Sequence, residues 1–226
     1  FVMAYENIPF MDALKELARQ AGVELAPPTP AMQKKQDNTK IWQKAMNVAG
    51  HYFRENFLGD AGKEARDYMK QRQFSDEIID FYKIGYAPES WDGLIQHAQK
   101  HGVSLNTLHE VGLVKINDKN RGFDFFRNRV MFPVRNAQNK VIAFGGRVLD
   151  GSEPKYLNSP ETPIFSKSQT LFNYSVAKEQ QREFKHFIMM EGYTDVMMAQ
   201  QYQLGPCVAT LGTAMTEDHV RIIKRH

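Results

Sequence analysis

The last forty residues constrain the fold of this chain most, because they repeat one pattern twice: an apolar strand, a glycine and a helix. In the first copy, residues 187–190 are apolar, Glu191 and Gly192 follow, and residues 194–202 have helical character. In the second copy, the apolar residues 207–211 precede Gly212, and Thr216 can cap a helix. The first run predicts a strand buried on both faces, and Gly192 is predicted to allow a sharp turn. Two such units in tandem predict a parallel, Rossmann-like α/β sheet.

Glu191 is the candidate functional residue of this sheet, because ligands collect at the carboxyl ends of parallel strands. Asp195 lies about one helical turn further along. Mg²⁺ prefers a few carboxylates together with substrate phosphates, so the pair predicts part of a metal site. A single acid at a strand end is also commonly a helix cap, an ion-pair partner or simply solvated.

The residues before this sheet predict helices followed by antiparallel strands. Helical spacing of apolar residues covers residues 10–21, 39–57, 63–72 and 76–82, with further caps at Ser75, Ser90 and Ser104. Two hairpins are predicted, with strands at 114–117 and 123–126 and at 130–134 and 141–144. The predicted fold class is therefore α+β, a helical and antiparallel part followed by a truncated α/β sheet.

The hairpins place arginines near strand ends, where guanidinium groups can hold phosphates in bidentate fashion. These are Arg127, Arg129, Arg135 and Arg147. Gly145 and Gly146 permit the close approach of a backbone or a ligand. The polar loop 150–168 has little periodicity and carries Lys155, Tyr156 and Lys167. Such a loop is either functional or mobile and exposed.

Composition excludes some classes of protein. No apolar run reaches the length of a membrane span, and the N-terminus lacks the layout of a signal peptide, so the sequence is interpreted as a piece of a longer cytoplasmic protein. The single cysteine, Cys207, excludes an intrachain disulfide and suits a reducing compartment. The prolines and polar residues of 26–38 predict an interdomain linker.

Charge is distributed unevenly along the chain. The net charge is +3, but residues 115–178 hold eleven Lys and Arg against five Asp and Glu. A basic surface of this kind attracts a phosphate backbone by releasing condensed counterions. An ordinary solvated charged face would have the same composition.

Several motifs together resemble the bacterial DnaG-type DNA primases, and the resemblance covers nearly the whole chain. The run Glu191-Gly192-Tyr193-x-Asp195-Val196 and the run 209–216 resemble the first half of that family's Toprim module. Upstream segments resemble its primase core in order and spacing: 84–88, 91–92, 129–134, 144–149 and 154–162.

The resemblance implies four segments. Residues 1–25 correspond to the tail of the family's N-terminal zinc-binding domain, and residues 26–38 to the linker. Residues 39–184 correspond to the N-terminal subdomain of the primase core, and residues 185–226 to the first half of the Toprim subdomain. Because this sequence has no cluster of Cys and His ligands, structural zinc is expected only upstream of Phe1.

The resemblance also implies roles for individual residues. Glu191 corresponds to the catalytic glutamate and, with Asp195, to ligands of Mg²⁺ or Mn²⁺. Catalytic or nucleotide-contact positions are implied for Arg147, Lys155, Tyr156 and Lys167, and nucleic-acid contacts for Arg127, Arg129 and Arg147. Phe125 occupies a position where many relatives have arginine. Contact with the template strand is therefore expected to be weaker there, or to be made by Arg121.

The implied function is synthesis of short RNA primers on single-stranded DNA from ribonucleoside triphosphates. A replicative helicase is the implied partner, through a C-terminal domain absent from this sequence, and no membrane is involved. The family's Asp-x-Asp pair is expected beyond His226, so this piece alone is expected to be inactive. Two alternatives stay open: another Toprim enzyme, such as a topoisomerase or nuclease, and a noncatalytic single-stranded DNA-binding module.

Overall fold

The computed structural model describes residues 10–23 and 29–224 of the chain. The chain divides into two compact units, Phe1–Asn38 and Thr39–His226. None of the helices in the described ranges is long and apolar enough to cross a membrane. The larger unit contains every strand that the structure describes.

Helices dominate the first half of the chain and return after the antiparallel strands. Their bounds are α1 Phe10–Gln20, α2 Pro30–Leu58, α3 Lys63–Gln71, α4 Asp76–Phe81, α5 Gly93–Lys100, α6 Leu105–Glu110, α7 Tyr174–Phe184, α8 Tyr193–Gln201 and α9 Glu217–Lys224. Short 3₁₀ turns cover Asp60–Gly62 and Lys167–Gln169. The predicted caps Ser75 and Ser104 accept hydrogen bonds from the N–H groups of Ile78 and Thr107, as expected.

The strands form three sheets in the described part of the chain. Their bounds are β1 Gly85–Ala87, β2 Val114–Ile116, β3 Gly122–Asp124, β4 Arg129–Arg135, β5 Val141–Val148, β6 Tyr156–Asn158, β7 Ile188–Met190 and β8 Cys207–Ala209. The central antiparallel sheet has the order β1-β4-β5-β6, β2 pairs with β3, and β7 pairs with β8 in parallel. Both predicted hairpins and the predicted parallel pair are confirmed, and the fold is α+β.

The central sheet separates two groups of buried side chains. Val130, Phe132 and Val134 of β4 belong to one group, while Met131 belongs to the other. Alternation of this kind follows from the two-residue period of a strand, and it explains why β4 has almost no exposed residue. In the second group, the ring of Phe53 on α2 meets Phe144 edge-on at 5.2 Å. Hydrophobic burial on both faces thus fixes the sheet between helical layers.

Helix α2 begins at Pro30, nine residues before the predicted start. The hydroxyl of Thr29 accepts a hydrogen bond from the Met32 N–H at 3.3 Å, and the side chains of Gln33 and Asp37 bond across one helical turn at 3.3 Å. Proline suits the first turn of a helix because its missing N–H has no partner there. Residues 30–38 of the predicted linker are therefore helical, with the polar composition of an exposed helix, and the division between the two units falls after Asn38.

The parallel pair differs from the prediction in two details. Strand β8 is fully buried, but Met189 in β7 is 37% exposed, so β7 is not buried on both faces. Among the described strands β7 pairs only with β8, so its other edge has no strand beside it in the described ranges. The chain bends at Glu191 and Gly192, as predicted, but Gly192 has φ −137°, an extended conformation open to any residue, so the bend does not require glycine. Gly212, with φ +73°, does make the turn predicted after the second strand.

The loop 150–168 contains a strand that periodicity did not predict. Residues 156–158 form β6, in which Leu157 faces Gly146 and Tyr156 faces Arg147 across the pair with β5. Three residues are too few to show an alternating pattern, so only the pairing with a long neighbour reveals the strand. This pairing carries Tyr156 and Asn158 onto the central sheet.

Candidate functional site

Glu191 and Asp195 lie at the carboxyl end of β7, where the sequence predicts a site. Both side chains are exposed. The Asp195 carboxylate accepts a hydrogen bond from the Gly192 N–H at 3.1 Å and so caps the start of α8. No hydrogen bond or ion pair of the Glu191 side chain involves another described residue. Asp195 thus has a structural task, whereas Glu191 is available to a ligand.

Tyr193 connects this strand end to the central sheet. It is the first residue of α8, and its buried ring stacks on Phe132 at 5.4 Å with an interplanar angle of 7°. A Cβ added at Gly145 would lie 2.6 Å from the Tyr193 ring, so glycine is required at that point of β5. The glycine pair was predicted to admit a backbone or a ligand, but the group that approaches Gly145 is the Tyr193 side chain.

The hydroxyl of Tyr193 donates a short hydrogen bond to the side-chain oxygen of Asn158 on β6. The Asn158 amide then donates to Leu211 O at 2.8 Å, just beyond β8. Burial raises the pKa of Tyr193, which keeps the phenol protonated as a donor. One asparagine therefore joins the ends of both parallel strand units to the antiparallel sheet.

Arg147 and Tyr156 form a cation–aromatic pair beside this junction. The Arg147 guanidinium lies 4.9 Å from the centre of the Tyr156 ring and 5.3 Å from that of Tyr68 on α3. The rings of Tyr156 and Tyr193 are 6.4 Å apart. Arg147 Nε is buried without a hydrogen-bond partner in the described part of the chain. The structure thus brings two predicted site residues to the start of α8, two residues beyond Glu191.

The two predicted lysines occupy separate places. Lys155 is exposed and directly precedes β6, and its backbone carbonyl accepts from the Val148 N–H at 3.2 Å. Lys167 starts a 3₁₀ turn that contacts α9, and its carbonyl lies 2.9 Å from Nε2 of the buried His219. Neither ammonium group forms an ion pair with a described carboxylate. Lys155 adjoins the Arg147–Tyr156 pair, whereas Lys167 lies in a turn that contacts the helix of the second strand–helix unit.

A cation–aromatic groove of about 430 Å³ is lined by two more of the predicted arginines, Arg127 and Arg129. The Arg127 guanidinium lies 4.1 Å from the centre of the Trp91 ring, which is 66% exposed. Arg129 is buried and donates from Nη1 to Pro154 O at 2.8 Å; burial lowers its pKa, which the nearby Asp150 opposes. We call this the Arg127 groove. Arg127 is half-buried and its Nη1 donates to the Asp124 carbonyl, while Arg129 forms part of the wall of the groove.

Sequence reasoning missed the aromatic part of the Arg127 groove. The Trp91 carbonyl accepts a hydrogen bond from the Asp124 N–H at 2.7 Å, which holds the indole beside β3 and at 5.8 Å from the Phe123 ring. The Lys115 ammonium lies 5.1 Å from the centre of the Phe125 ring and lines the groove. The cation that lies against the Phe125 ring is Lys115, and Arg121 is not among the residues that line the groove. The sequence signal for these aromatic residues was the resemblance of the Trp91-Asp92 pair to the primase core.

The fit of a divalent cation can be judged from the donor set. Glu191 and Asp195 offer carboxylate oxygens, the ligand type that Mg²⁺ prefers. No cluster of three or more His, Cys, Asp or Glu suited to a metal lies within the described ranges. These two acids therefore fit part of a magnesium site, with Glu191 as its free member.

Comparison with known proteins gives a consistent result. Residues 52–178 match the family described as DNA primase catalytic core, N-terminal domain. A DNA primase of Pseudomonas putida is 38% identical over 229 residues, a match that covers 100% of this chain and 35% of that protein. A DNA primase of Deinococcus radiodurans is 39% identical over 226 residues, with 100% and 38% covered. The chain thus spans little more than a third of the length of these relatives.

Solved structures agree with the sequence relatives. A DnaG primase catalytic domain bound to ssDNA is 35% identical, with a TM-score of 0.76 over 84% of this chain and 59% of that chain. The Aquifex aeolicus primase, comprising zinc-binding and RNA polymerase domains, is 30% identical, with a TM-score of 0.78 over 100% of this chain and 54% of that chain. With the match of residues 52–178, these likenesses show that the chain belongs to the DnaG family of DNA primases, as part of its catalytic core.

Proposed function

We propose that the whole protein synthesises RNA primers on single-stranded DNA and that this chain supplies one side of its catalytic centre. The observation that carries the proposal is the junction of Tyr193 with Gly145 and Asn158, because it sets the Glu191 end of β7 next to the Arg147–Tyr156 pair. Negative charge that develops during phosphoryl transfer needs cations fixed in advance around the reacting groups. In such a centre the Glu191 carboxylate binds the metal ion and the Arg147 guanidinium binds phosphate.

Each side chain has a proposed task. Glu191 holds the catalytic cation, with Asp195 nearby and with further acids outside this sequence. Bound Mg²⁺ or Mn²⁺ would supply neutralisation of phosphate charge and activation of the attacking hydroxyl. Arg147 and Lys155 contact the triphosphate, and the 38% exposed Tyr156 ring flanks it. Lys167 approaches the same ligand from the second strand–helix unit.

The Arg127 groove is the proposed path of the template. Trp91 and Phe123 offer ring faces for base stacking, and Arg127 and Lys115 offer positive charge to the backbone. Stacking surfaces beside cations bind single strands with little sequence preference. The relative whose structure holds ssDNA supports this assignment by likeness. Structural zinc and a replicative helicase remain proposals for parts of the protein outside this sequence.

Primer synthesis by full-length protein carrying Glu191→Gln tests the proposal. The substitution preserves size and removes the negative charge, so primer synthesis should fall by two orders of magnitude or more, about 3 kcal/mol in the barrier. Binding of single-stranded DNA should be unchanged, because Glu191 lies outside the Arg127 groove. Glu183→Gln, an exposed glutamate at the end of α7, is the matched control and should retain synthesis.

The outcomes separate the competing functions. Synthesis undiminished by Glu191→Gln would remove this residue from the mechanism and favour a noncatalytic DNA-binding module. Loss of DNA cleavage or strand passage, in a protein that never makes primers, would favour another Toprim enzyme. Loss of synthesis with DNA binding retained is the result that the primase proposal requires.

A further inference from the structure

A second cationic surface lies at the turn between β4 and β5, residues 136–140. Four cavities of about 270, 250, 230 and 760 Å³ surround this turn. Arg135 lines three of them, and Asn136 and His51 each line two. The cavities therefore form one continuous surface, which we call the hairpin-end face.

Charge distinguishes the hairpin-end face from the Arg127 groove. No described residue that lines its four cavities is an aspartate or glutamate. The cationic lining residues are Lys40, Lys44, Arg54, Lys83, Arg135, Lys140 and Lys178. In the Arg127 groove, Glu89, Asp150 and Glu153 accompany Lys115, Arg127 and Arg129, so acids balance the cations there. The excess positive charge is at the hairpin end.

Ion pairs compensate only part of this charge. The exposed Asp80 carboxylate lies 2.9 Å from both Arg54 and Lys83. Among the described residues, no carboxylate forms an ion pair with Arg135, Lys140 or Lys178. At least three of the face's seven positive charges are therefore not compensated by an ion pair within the described ranges.

Arg135 is the strongest indication of an anion site within this face. Its side chain is half-buried, and its Nη1 donates to Asn139 O at 3.1 Å. Burial lowers the pKa of the Arg135 guanidinium, and no neighbouring acid opposes that effect. A partly desolvated guanidinium with free donors gains from a phosphate that accepts two parallel hydrogen bonds.

The neighbouring side chains suit an extended phosphate chain. Amide groups of Asn47, Asn136 and Gln138 line the cavities beside the lysines. They add hydrogen-bond donors between the cations, as surfaces that bind nucleic-acid backbones do. Arg129 and Arg135 begin and end β4, so the face lies about 20 Å from the Arg127 groove, given the rise of a strand.

We propose that the hairpin-end face binds the phosphate backbone of a nucleic acid strand, as a contact surface separate from the Arg127 groove. This assignment uses only the charge and geometry of the face and does not rest on the proposed catalytic activity. An acidic polypeptide is the other polyanion that such a surface could attract, and the experiment separates the two.

The test measures the affinity of the chain for a fluorescent single-stranded oligothymidylate at several salt concentrations. The variant Lys44→Gln, Lys140→Gln, Lys178→Gln removes three charges from the face. The control Lys63→Gln, Lys70→Gln, Lys100→Gln removes three charges from lysines that line none of its cavities. We expect the face variant to lower the slope of log affinity against log salt by about 2, at about 0.7 per lost phosphate contact.

The control variant should keep most of the slope, and the effect of the face variant should persist in an Arg127→Gln background. Equal losses in the two lysine variants would overturn the proposal, because net charge alone would explain them. So would a slope that the face variant leaves unchanged. Polyglutamate that binds the face as tightly as the oligothymidylate, and loses the same affinity in the face variant, would assign the face to acidic polypeptides instead.

Discussion

Gly145 shows how one residue determines the position of the candidate site. The Tyr193 ring fills the space that a side chain at residue 145 would need, and that ring also stacks on the buried Phe132. Gly145→Ala should therefore lower the free energy of unfolding by about 1–3 kcal/mol, because the tyrosine cannot move without losing its contacts. Urea unfolding of the chain measures this loss.

Gly50→Ala is the matched control for that substitution. The nearest atom to a Cβ at Gly50 is Phe144 Cζ at 3.9 Å, an ordinary contact, and Gly50 lies inside α2. Alanine is preferred to glycine in helices by up to about 1 kcal/mol, so this variant should be neutral or more stable. Equal destabilisation by both substitutions would contradict the role given to Tyr193.

Asp124 gives the stability of the chain a defined pH dependence. Its carboxylate accepts hydrogen bonds from the N–H groups of Leu94 and Ile95, at 2.7 and 3.2 Å, where α5 begins. Burial nevertheless raises the pKa of Asp124 from 3.8 to about 6. The folded chain therefore holds a proton that the unfolded chain has released between about pH 4 and 6.

Stability contributed by Asp124 should be greatest below about pH 4 and decline as the pH rises to about 6. Urea unfolding at several pH values, compared with Asp124→Asn, isolates this contribution, since asparagine does not titrate. The wild-type advantage over the variant should shrink by up to about 3 kcal/mol across the window. An advantage that grows with pH would show instead that the two N–H groups outweigh burial.

At the scale of elements, the Arg127 groove depends on the position of Trp91 between α5 and the β2–β3 hairpin. If bases stack on this ring, Trp91→Ala should weaken binding of single-stranded DNA by about 1–3 kcal/mol, or roughly five- to 150-fold. Tyr202→Ala is the control, because Tyr202 at the end of α8 is 64% exposed, close to the 66% of Trp91, but lies outside the groove. Fluorescence anisotropy with a labelled oligonucleotide measures both. Similar losses of DNA affinity in the two variants would show that Trp91 has no specific stacking role.

Local patterns were enough to predict most of the elements. The caps Ser75 and Ser104, the two hairpins and the second strand–helix unit follow from neighbouring residues alone. The start of α2 was missed because a polar exposed helix has the composition of a linker. Exposure of Met189 was missed because a run of apolar residues does not reveal that β7 has a single neighbour among the described strands.

At the scale of the whole molecule, the candidate site could be predicted only in part. Glu191 was identified by its place after a strand, which is local information. Tyr193, Asn158 and Tyr68 were missed as site-forming residues because their contacts join segments far apart in the sequence. Motif resemblance supplied Arg147 and Tyr156, and the structure supplies the reason: paired strands β5 and β6 hold them face to face.

The central claim is that Glu191 and Arg147 act on one substrate in one catalytic centre. The most direct test is a double-mutant cycle in the full-length protein, with Glu191→Asp, Arg147→Lys and the combination, and the single-turnover rate of primer extension as the measurement. Residues that serve one transition state give strongly non-additive losses, so the double variant should be little slower than the slower single variant. If the two losses of rate multiply in the double variant, as for two independent sites, Glu191 and Arg147 do not share one catalytic centre.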